Sequence, residues 1–584
     1  MPVVQRAWTA LGPIAIAAPV LVAFNQPPSP TFYNQATALL GWGALLLASC
    51  FALRGERRAP RGGLDALLAA FAALVIAAAA APSWAGQPLT LSRSAIALLL
   101  AAAFAAQVGA ALQTAVLRQQ ACAALATGLL VAGAASVAIG LIQVFAPQWP
   151  DGEWIARSGI PGRAVGNLRQ PNHLATLLLW SVVAVIPLIE SRHDAVRRAW
   201  PWMAGSLFAL LLFGVVLSGS RTGLVGLVVL VGWGLFDHRL SRLSRGLLIA
   251  SPLICAASWW LLDLLAAAQG TGAHLGAATR VGESDPSGGR FAIWRDTLAL
   301  IAQNPWWGVG FGEFNFAWSL TPFPHRHHAF FDHTHNLPLQ LMVELGIPLA
   351  LLVLGLLGWG LWQAFDRTRR VEGFEGSALR AALVMVLLMA LHSQLEYPLW
   401  YAYFLLPTAF AWGLCLGAGE QAPVNQADGN RRARWPVAAG VALMVGAVLM
   451  LVDYRRVVVI FAPGEGAAPL AERIADGRHS WFFGHHADYA LVTTPDEPVT
   501  EPGAFDRATH YLLDTRLMIA WARSLDAQGD RDRARHLAAR LREFRNPASA
   551  EFFAPCGDAA VDEKSFQCEP PSKAMDWRDF RPAR

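Results

Sequence analysis

The chain has 584 residues, of which 55% are hydrophobic and only 15% charged, and a formal net charge of +5. One soluble core cannot hide that much apolar surface, so a soluble globular protein is excluded and an integral membrane protein is expected. No nucleic-acid partner is expected.

Apolar windows of about 17 to 25 residues, the length a helix needs to cross a bilayer, recur along the chain. They fall at 8–24, 36–53, 64–84, 94–115, 121–146, 172–190, 199–218, 222–237, 246–266, 337–364, 377–395, 398–418 and 435–453. These thirteen candidate spans predict an all-α polytopic bundle. The window at 337–364 is long enough to tilt or to lie partly in the interface. The first window lacks an A-x-A cleavage site and reads as a retained helix, not a removed signal peptide. The chain divides into an N-terminal transmembrane bundle over 1–266, a large outer loop over 267–336, a C-terminal transmembrane bundle over 337–453 and a helical tail over 454–584.

Alternate connections are basic, which assigns them to the cytoplasm. They hold Arg54, Arg57, Arg58 and Arg61, then Arg118, then Arg192, Arg197 and Arg198, then Arg239, Arg242 and Arg245, then Arg367, Arg369, Arg370 and Arg380, and last Arg431, Arg432 and Arg434. The other side receives 147–171, 219–221, 267–336 and everything after Leu451. Arginines there oppose the bias: Arg157, Arg163 and Arg169 in one loop, Arg221 in "LSGSRTG", Arg290 and Arg295 in "SGGRFAIWRD". Either they snorkel to lipid phosphate or something anionic offsets them. For Arg221 and Arg290, flanked by Gly and Ser that let a backbone approach a ligand, a diphosphate clamp is the preferred reading, because guanidinium binds phosphate oxygens bidentately and stays charged.

The outer loop ends on "FDHTHNLPLQLMVELGIPL", Phe331 to Leu349, which sets His333 and His335 directly against an apolar run. His325, His327, His328, His333 and His335 with Asp332 could ligate a metal. The spacings H-x-H-H and D-H-x-H match no familiar zinc pattern, and no cysteine joins them. A solvated polar loop is the better reading for His325, His327 and His328. No P-loop, no G-x-G-x-x-G after a strand and no outer D-x-D is present. Asp530-Arg531-Asp532 reads as helix capping.

His335-Asn336, nine residues and then Gly346 resemble the H-N-x9-G signature of the bacterial O-antigen ligase and polymerase superfamily. Leu349 stands where that superfamily usually has a small or aromatic residue. "LSGSRTG" and "SGGRFAIWRDTLALIAQNPWWGVGFGEF", with its G-R-x-x-x-W start and P-x-x-G-x-G end, resemble the same superfamily. "GNLRQPNHLAT" (Gly166 to Thr176) and "HSQLEYPLWYAYFLLP" (His392 to Pro407) are similar to its PglL-type branch, the protein O-oligosaccharyltransferases. The resemblance implies that Gln170, His335 and Tyr397 are functional, with Asn336 and Arg295 at the donor or acceptor site. Alternatively, Gln170-Pro171-Asn172 is a polar helix start and Tyr397 an interfacial belt residue. Glu396 suggests a polar network with His392 or Arg221, of undetermined pairing.

The resemblance further implies a bacterial inner-membrane enzyme with its site on the periplasmic face. It would move an oligosaccharide from undecaprenyl diphosphate to Ser or Thr of a pilin-like protein. The lipid would lie in the membrane, the diphosphate at its surface and the glycan outside. Histidine, with an unperturbed pKa of about 6.5, can take a hydroxyl proton near neutral pH. Arg221 and Arg290 would stabilise the departing diphosphate, a single displacement would invert the anomeric centre, and no metal or cofactor is called for. The rival acceptors are lipid A core and a growing O-antigen chain. A polyprenyl-lipid transporter is a further alternative, although it would show repeats and midplane ionisable groups.

The tail contains "HYLLDTRLMIAWARSLDAQGDRDRARHLAARLREF", two amphipathic helices around a Gly-Asp turn, similar to a tetratricopeptide-type hairpin. It reads as a cap or as an acceptor-binding surface. Cys556 and Cys568, in a loop-like stretch assigned to an oxidising compartment, are expected to pair. Cys50, Cys122, Cys255 and Cys415 fall in apolar spans and read as packing residues.

Overall fold

The structure, a computed structural model, describes residues 2–49, 62–112, 114–191, 200–268, 288–419, 434–557 and 565–581. Cys50, Arg54, Arg57, Arg58, Arg61, Arg192, Arg197, Arg198, Arg431, Arg432 and Ser287 lie outside them. The described residues form helices and no strand. In chain order the α-helices are α1 (Pro2–Leu21), α2 (Phe32–Ser49), α3 (Gly63–Ala85), α4 (Leu89–Ala111), α5 (Ala115–Phe145), α6 (Pro171–Glu190), α7 (Trp200–Leu217), α8 (Arg221–Phe236), α9 (Arg242–Ala268) and α10 (Arg290–Gln303). They continue with α11 (Phe314–Leu320), α12 (Leu337–Thr368), α13 (Gly373–His392), α14 (Ala402–Leu416), α15 (Trp435–Phe461), α16 (Leu470–Gly477), α17 (Gly484–Thr493), α18 (Thr515–Ala527), α19 (Arg531–Phe544) and α20 (Ala550–Phe553).

Each apolar window of the sequence is occupied by one of α1–α9 or α12–α15. Among the described residues nine of these, α3 to α7, α9, α12, α13 and α15, are long and apolar enough to cross a membrane. The apolar stretches of α1, α8 and α14 are shorter. The protein is a multi-pass membrane protein.

The chain forms two compact units. One comprises Met1–Ala69, Leu100–Ser284 and Leu356–Leu449; the other comprises Ala70–Leu99, Asp285–Gly355 and Met450–Arg584. Helices α3, α4, α12 and α15 run from one unit into the other.

In the first unit α6 is the central helix, packed by α5, α7, α8 and α13, with 89% of its apolar window buried. Its run "LATLLLWSVVAVIPLI" is apolar on every face, as a helix surrounded by helices must be. Small residues set the closest approaches: a Cβ on Gly413 would stand 2.0 Å from the Ala106 carbonyl oxygen. Cys122, Cys255 and Cys415 are buried and unbridged.

The second unit has a core that joins the region before α12 to the tail. Ile293 and Leu300 of α10, Phe314 and Trp318 of α11, and Val343 of α12 pack with Leu517 and Trp521 of α18 and Leu537 and Phe544 of α19. Fully burying each such side chain stabilises by about 1.5 to 3 kcal/mol. Within this core the Arg326 guanidinium is caged by Trp318, Phe323 and Phe544, at 4.8, 5.1 and 4.6 Å from the ring centroids. It donates to Glu543 Oε2 at 3.1 Å, to the Trp318 carbonyl at 2.7 Å and to the Thr321 carbonyl. Burial pulls its pKa down to about 10 against the opposing pull of Glu543.

The tail hairpin follows the amphipathic pattern. Asp514 caps α18 by accepting Leu517 N–H at 2.9 Å. Gly529, at φ 84°, turns the chain, and Asp530 caps α19 by accepting Arg533 N–H at 3.2 Å. Cys556 and Cys568 are joined as a disulfide, with Cα atoms 5.3 Å apart.

Candidate functional site

His335 belongs to the second unit and is one of three described non-glycine residues with positive φ, at 55°. Such a conformation costs about 1 to 3 kcal/mol and persists where the surroundings over-determine it. Its neighbours do so. Thr334 Oγ1 donates to the Asn336 carbonyl at 2.8 Å and accepts Asn336 N–H at 3.3 Å, closing a ring over His335. Asn336 caps α12, its Oδ1 accepting Leu339 N–H at 3.0 Å. Trp294 Nε1 donates to the Thr334 carbonyl at 2.9 Å. The tryptophan of the G-R-x-x-x-W stretch thus clamps the residue before His335.

Arg290 is the first residue of α10, one turn before Trp294, which places the two on the same helix face. Gly288 and Gly289 open that helix at φ 62° and 86°, and a Cβ on Gly289 would fall 2.6 Å from the His327 ring. The His327 and His335 rings each lie 5.3 Å from Phe331. Arg295, in contrast, is more than half exposed and donates to the His325 carbonyl at 3.1 Å.

The glycine that ends H-N-x9-G breaks α12. Gly346 has φ 77° and ψ 162°, and a Cβ there would sit 2.3 Å from the Trp306 carbonyl oxygen. The carbonyls freed by the break, Val343 and Glu344, accept N–H bonds from Val309 at 2.8 Å and Gly310 at 3.0 Å, while Ile347 N–H reaches the Pro305 carbonyl at 2.7 Å. Two motifs that look independent in sequence are one contact: P-x-x-G-x-G supplies the backbone partners that the α12 kink requires.

The first unit gathers the other candidates around helix starts. Gln170 caps α6, its Oε1 accepting His173 N–H at 3.0 Å, with Pro171 in the first turn. Ser220 caps α8, accepting Gly223 N–H at 3.0 Å, and Arg221 is that helix's first residue. Asn172 bridges outward from α6: its Oδ1 accepts Ser220 Oγ–H at 2.7 Å and its Nδ2 donates to Glu396 Oε1 at 2.7 Å. Glu396 is buried, and its bond to Asn172 is one that the sequence reading did not foresee. His392 Nδ1 lies 2.8 Å from Thr176 Oγ1. Tyr397 is half-buried and stacks on Tyr401 at 6.1 Å.

Three of the arginines expected on the outer side donate to backbone carbonyls. Arg157 donates to the Pro150 carbonyl at 3.2 Å, Arg163 to the Ser218 and Gly219 carbonyls at 2.9 and 3.2 Å, and Arg169 to the Ala23 carbonyl. Among the described residues no group of three or more His, Cys, Asp or Glu could hold a metal ion. Sequence reasoning overlooked Asn172, Gln340 and Glu344. The last two stand four and eight residues after Asn336, a polar row in an apolar helix that periodicity could have singled out.

A polytopic helical membrane protein with a strained histidine at the start of a broken helix defines the class. Family profiles sharpen it: "O-Antigen ligase" matches residues 206–354, "Virulence factor membrane-bound polymerase, C-terminal" matches 380–552, and "Protein glycosylation ligase" matches 164–186. These matches, each to part of the chain, make it similar to the O-antigen ligase superfamily and to its PglL-type branch. It is 29% identical over 279 residues to a general O-oligosaccharyltransferase of Acinetobacter baylyi, a match covering 45% of this chain and 46% of the relative. The chain therefore aligns with about half the length of that relative.

Proposed function

We propose that the protein is a glycosyltransferase that moves an oligosaccharide from undecaprenyl diphosphate to a Ser or Thr hydroxyl of an exported, pilin-like protein. The acceptor oxygen attacks C1 of the first sugar and the C1–O bond to the diphosphate breaks with inversion. The hydroxyl proton passes to His335, and undecaprenyl diphosphate leaves with the bonding electrons. Arg290 and Arg221 take the negative charge that develops on the leaving oxygens. Gln170, Tyr397, Asn336 and Arg295 contribute to donor or acceptor binding. The observation that carries this reading is the His335 turn, held in a left-handed conformation by the tryptophan of a second motif.

In this reading thirteen spans start from a cytoplasmic N-terminus, so 267–336 and the tail after Leu451 lie in the periplasm of a bacterial inner membrane. The Cys556–Cys568 disulfide supports that placement, since disulfides persist in oxidising compartments. The tail hairpin, similar to a tetratricopeptide unit, serves as a cap or as an acceptor-binding surface.

A second reading, transfer to lipid A core or to a growing O-antigen chain, is favoured by the polymerase profile over 380–552. Co-expression with a lipid-linked glycan and a candidate pilin, in a strain lacking its own ligase, separates the two. Glycan on the pilin and none on lipopolysaccharide is the expected result; the reverse would move the protein to the lipid-directed branch.

A further inference from the structure

The turn that presents His335 is tied to a buried carboxylate. Asn336, Gln340 and Glu344 stand four residues apart at the start of α12, so their side chains share one face. Gln340 is used at both ends: Oε1 accepts Thr334 N–H at 2.7 Å, and Nε2 donates to Glu344 Oε1 at 2.8 Å. The Glu344 carboxylate also accepts the N–H groups of Gly312 and Phe314. Thr334, Gln340 and Glu344 are all buried.

Donor and acceptor roles fix the direction of this chain. An amide can flip, exchanging its NH2 and its oxygen at little steric cost. A flipped Gln340 would point NH2 at the Thr334 N–H, donor against donor. When ionised, the carboxylate of Glu344 accepts only, so it holds the Gln340 NH2 towards itself and the oxygen towards Thr334. With Trp294 on the Thr334 carbonyl and Gln340 on the Thr334 N–H, both backbone groups of the residue before His335 are spoken for.

We propose that Glu344, acting through Gln340, is a positioning residue that keeps His335 in its left-handed conformation and its imidazole aimed for proton transfer. This rests on the reading of His335 as the base. Glu344 touches no reacting atom; its effect is on how often the imidazole is correctly placed, which enters kcat and not donor affinity.

The test exploits the chain's polarity. Gln340→Glu sets a second carboxylate against Glu344 and breaks the chain wherever the pair is ionised; because two adjacent carboxyls can hold a proton between them, the assay is run on the alkaline side of neutral. Gln340→Glu combined with Glu344→Gln rebuilds it with the roles exchanged: residue 340 accepts from both Thr334 N–H and the amide at 344, whose oxygen accepts from Gly312 and Phe314. Kinetics of the purified full-length protein with a lipid-linked oligosaccharide and a pilin acceptor should show Q340E losing on the order of 10- to 100-fold in kcat, as misplacement of a reacting group does. Donor KM should stay within about twofold, and the double variant should recover to within about threefold of the parent kcat. The uncharged Glu344→Gln alone makes the same prediction if Q340E does not fold, since its amide oxygen cannot serve both neighbours. An unchanged kcat in both single variants, or a double variant no better than either, would overturn the inference. His335→Ala in the same assay keeps the two ideas apart: an active H335A removes the base itself, whereas an inactive H335A beside fully active Q340E and E344Q removes only the role of Glu344.

Discussion

The two units hold their candidate residues by different means. In the first, helix ends are linked by side chains alone, Ser220 to Asn172 to Glu396, and each candidate stands at or near a helix cap. In the second, the His335 turn is fixed largely through backbone groups: the Thr334 carbonyl and N–H, and the carbonyls freed at Gly346. Side-chain links fail one at a time, whereas a backbone break that depends on glycine fails as a unit. Substitutions should therefore be graded in the first unit and abrupt in the second.

The largest expected effect is at Gly346. Gly346→Ala adds a Cβ 2.3 Å from the Trp306 carbonyl oxygen at a positive φ, and should destabilise by roughly 2 to 5 kcal/mol. Gly355, on the same helix with nothing within 4 Å of its Cβ position, is the control; Gly355→Ala should be neutral or stabilising by up to about 1 kcal/mol. Thermal unfolding of both variants in detergent measures this. Equal behaviour would mean that the kink is not what the second unit depends on.

Arg221→Lys and Arg290→Lys come next, one in each unit. Lysine keeps the charge and loses the bidentate fork, so each should cost roughly tenfold in transfer, equivalent to about 1.4 kcal/mol. Donor binding and transfer are measured together. Unchanged values would return either arginine to ordinary interfacial duty.

Asn172→Ala removes one hydrogen bond from Ser220 and one from Glu396, and should cost about 1 to 3 kcal/mol of stability. Donor binding should weaken with it if the α8 start carries Arg221 to the diphosphate. A loss as large as that of Gly346→Ala would erase the contrast between the units.

The smallest effect is a pH dependence of stability from the buried histidines of the second unit. Burial pulls His486 down to about 3 and His536 to about 4, and His485 well below its ordinary value. The unfolded value is about 6.5. As pH falls from about 6.5 towards 4, the unfolded chain takes up protons that the folded chain does not, so stability is complete above that window and lost through it. His536→Gln, which can still donate to the Leu320 carbonyl that His536 Nε2 approaches at 2.7 Å, should flatten the dependence by one proton. Unfolding midpoints from pH 7 to pH 4 measure it; identical slopes would show that His536 charges in the folded state.

Much of the helical framework was legible in sequence, because long unbroken apolar runs and an amphipathic hairpin are local signals. The break in α12 was not. Residues 337–364 read as one window, and glycine alone does not announce a left-handed kink; Trp306, some forty residues earlier, imposes it. The bond between Asn172 and Glu396 was equally hidden, since 224 positions separate them and only packing brings them together. The strain at His335 is a property of its neighbours' hydrogen bonds. The motif located the residue, and the structure supplied the reason for its shape.

The central claim is that His335 takes the acceptor proton in glycan transfer. Its most direct test is single-turnover transfer by purified His335→Ala from a lipid-linked oligosaccharide to pilin, read by intact-protein mass spectrometry beside the unaltered chain. A folded variant that still binds donor but transfers on the order of 10²- to 10⁴-fold more slowly is the predicted result. Transfer at the unaltered rate would contradict it.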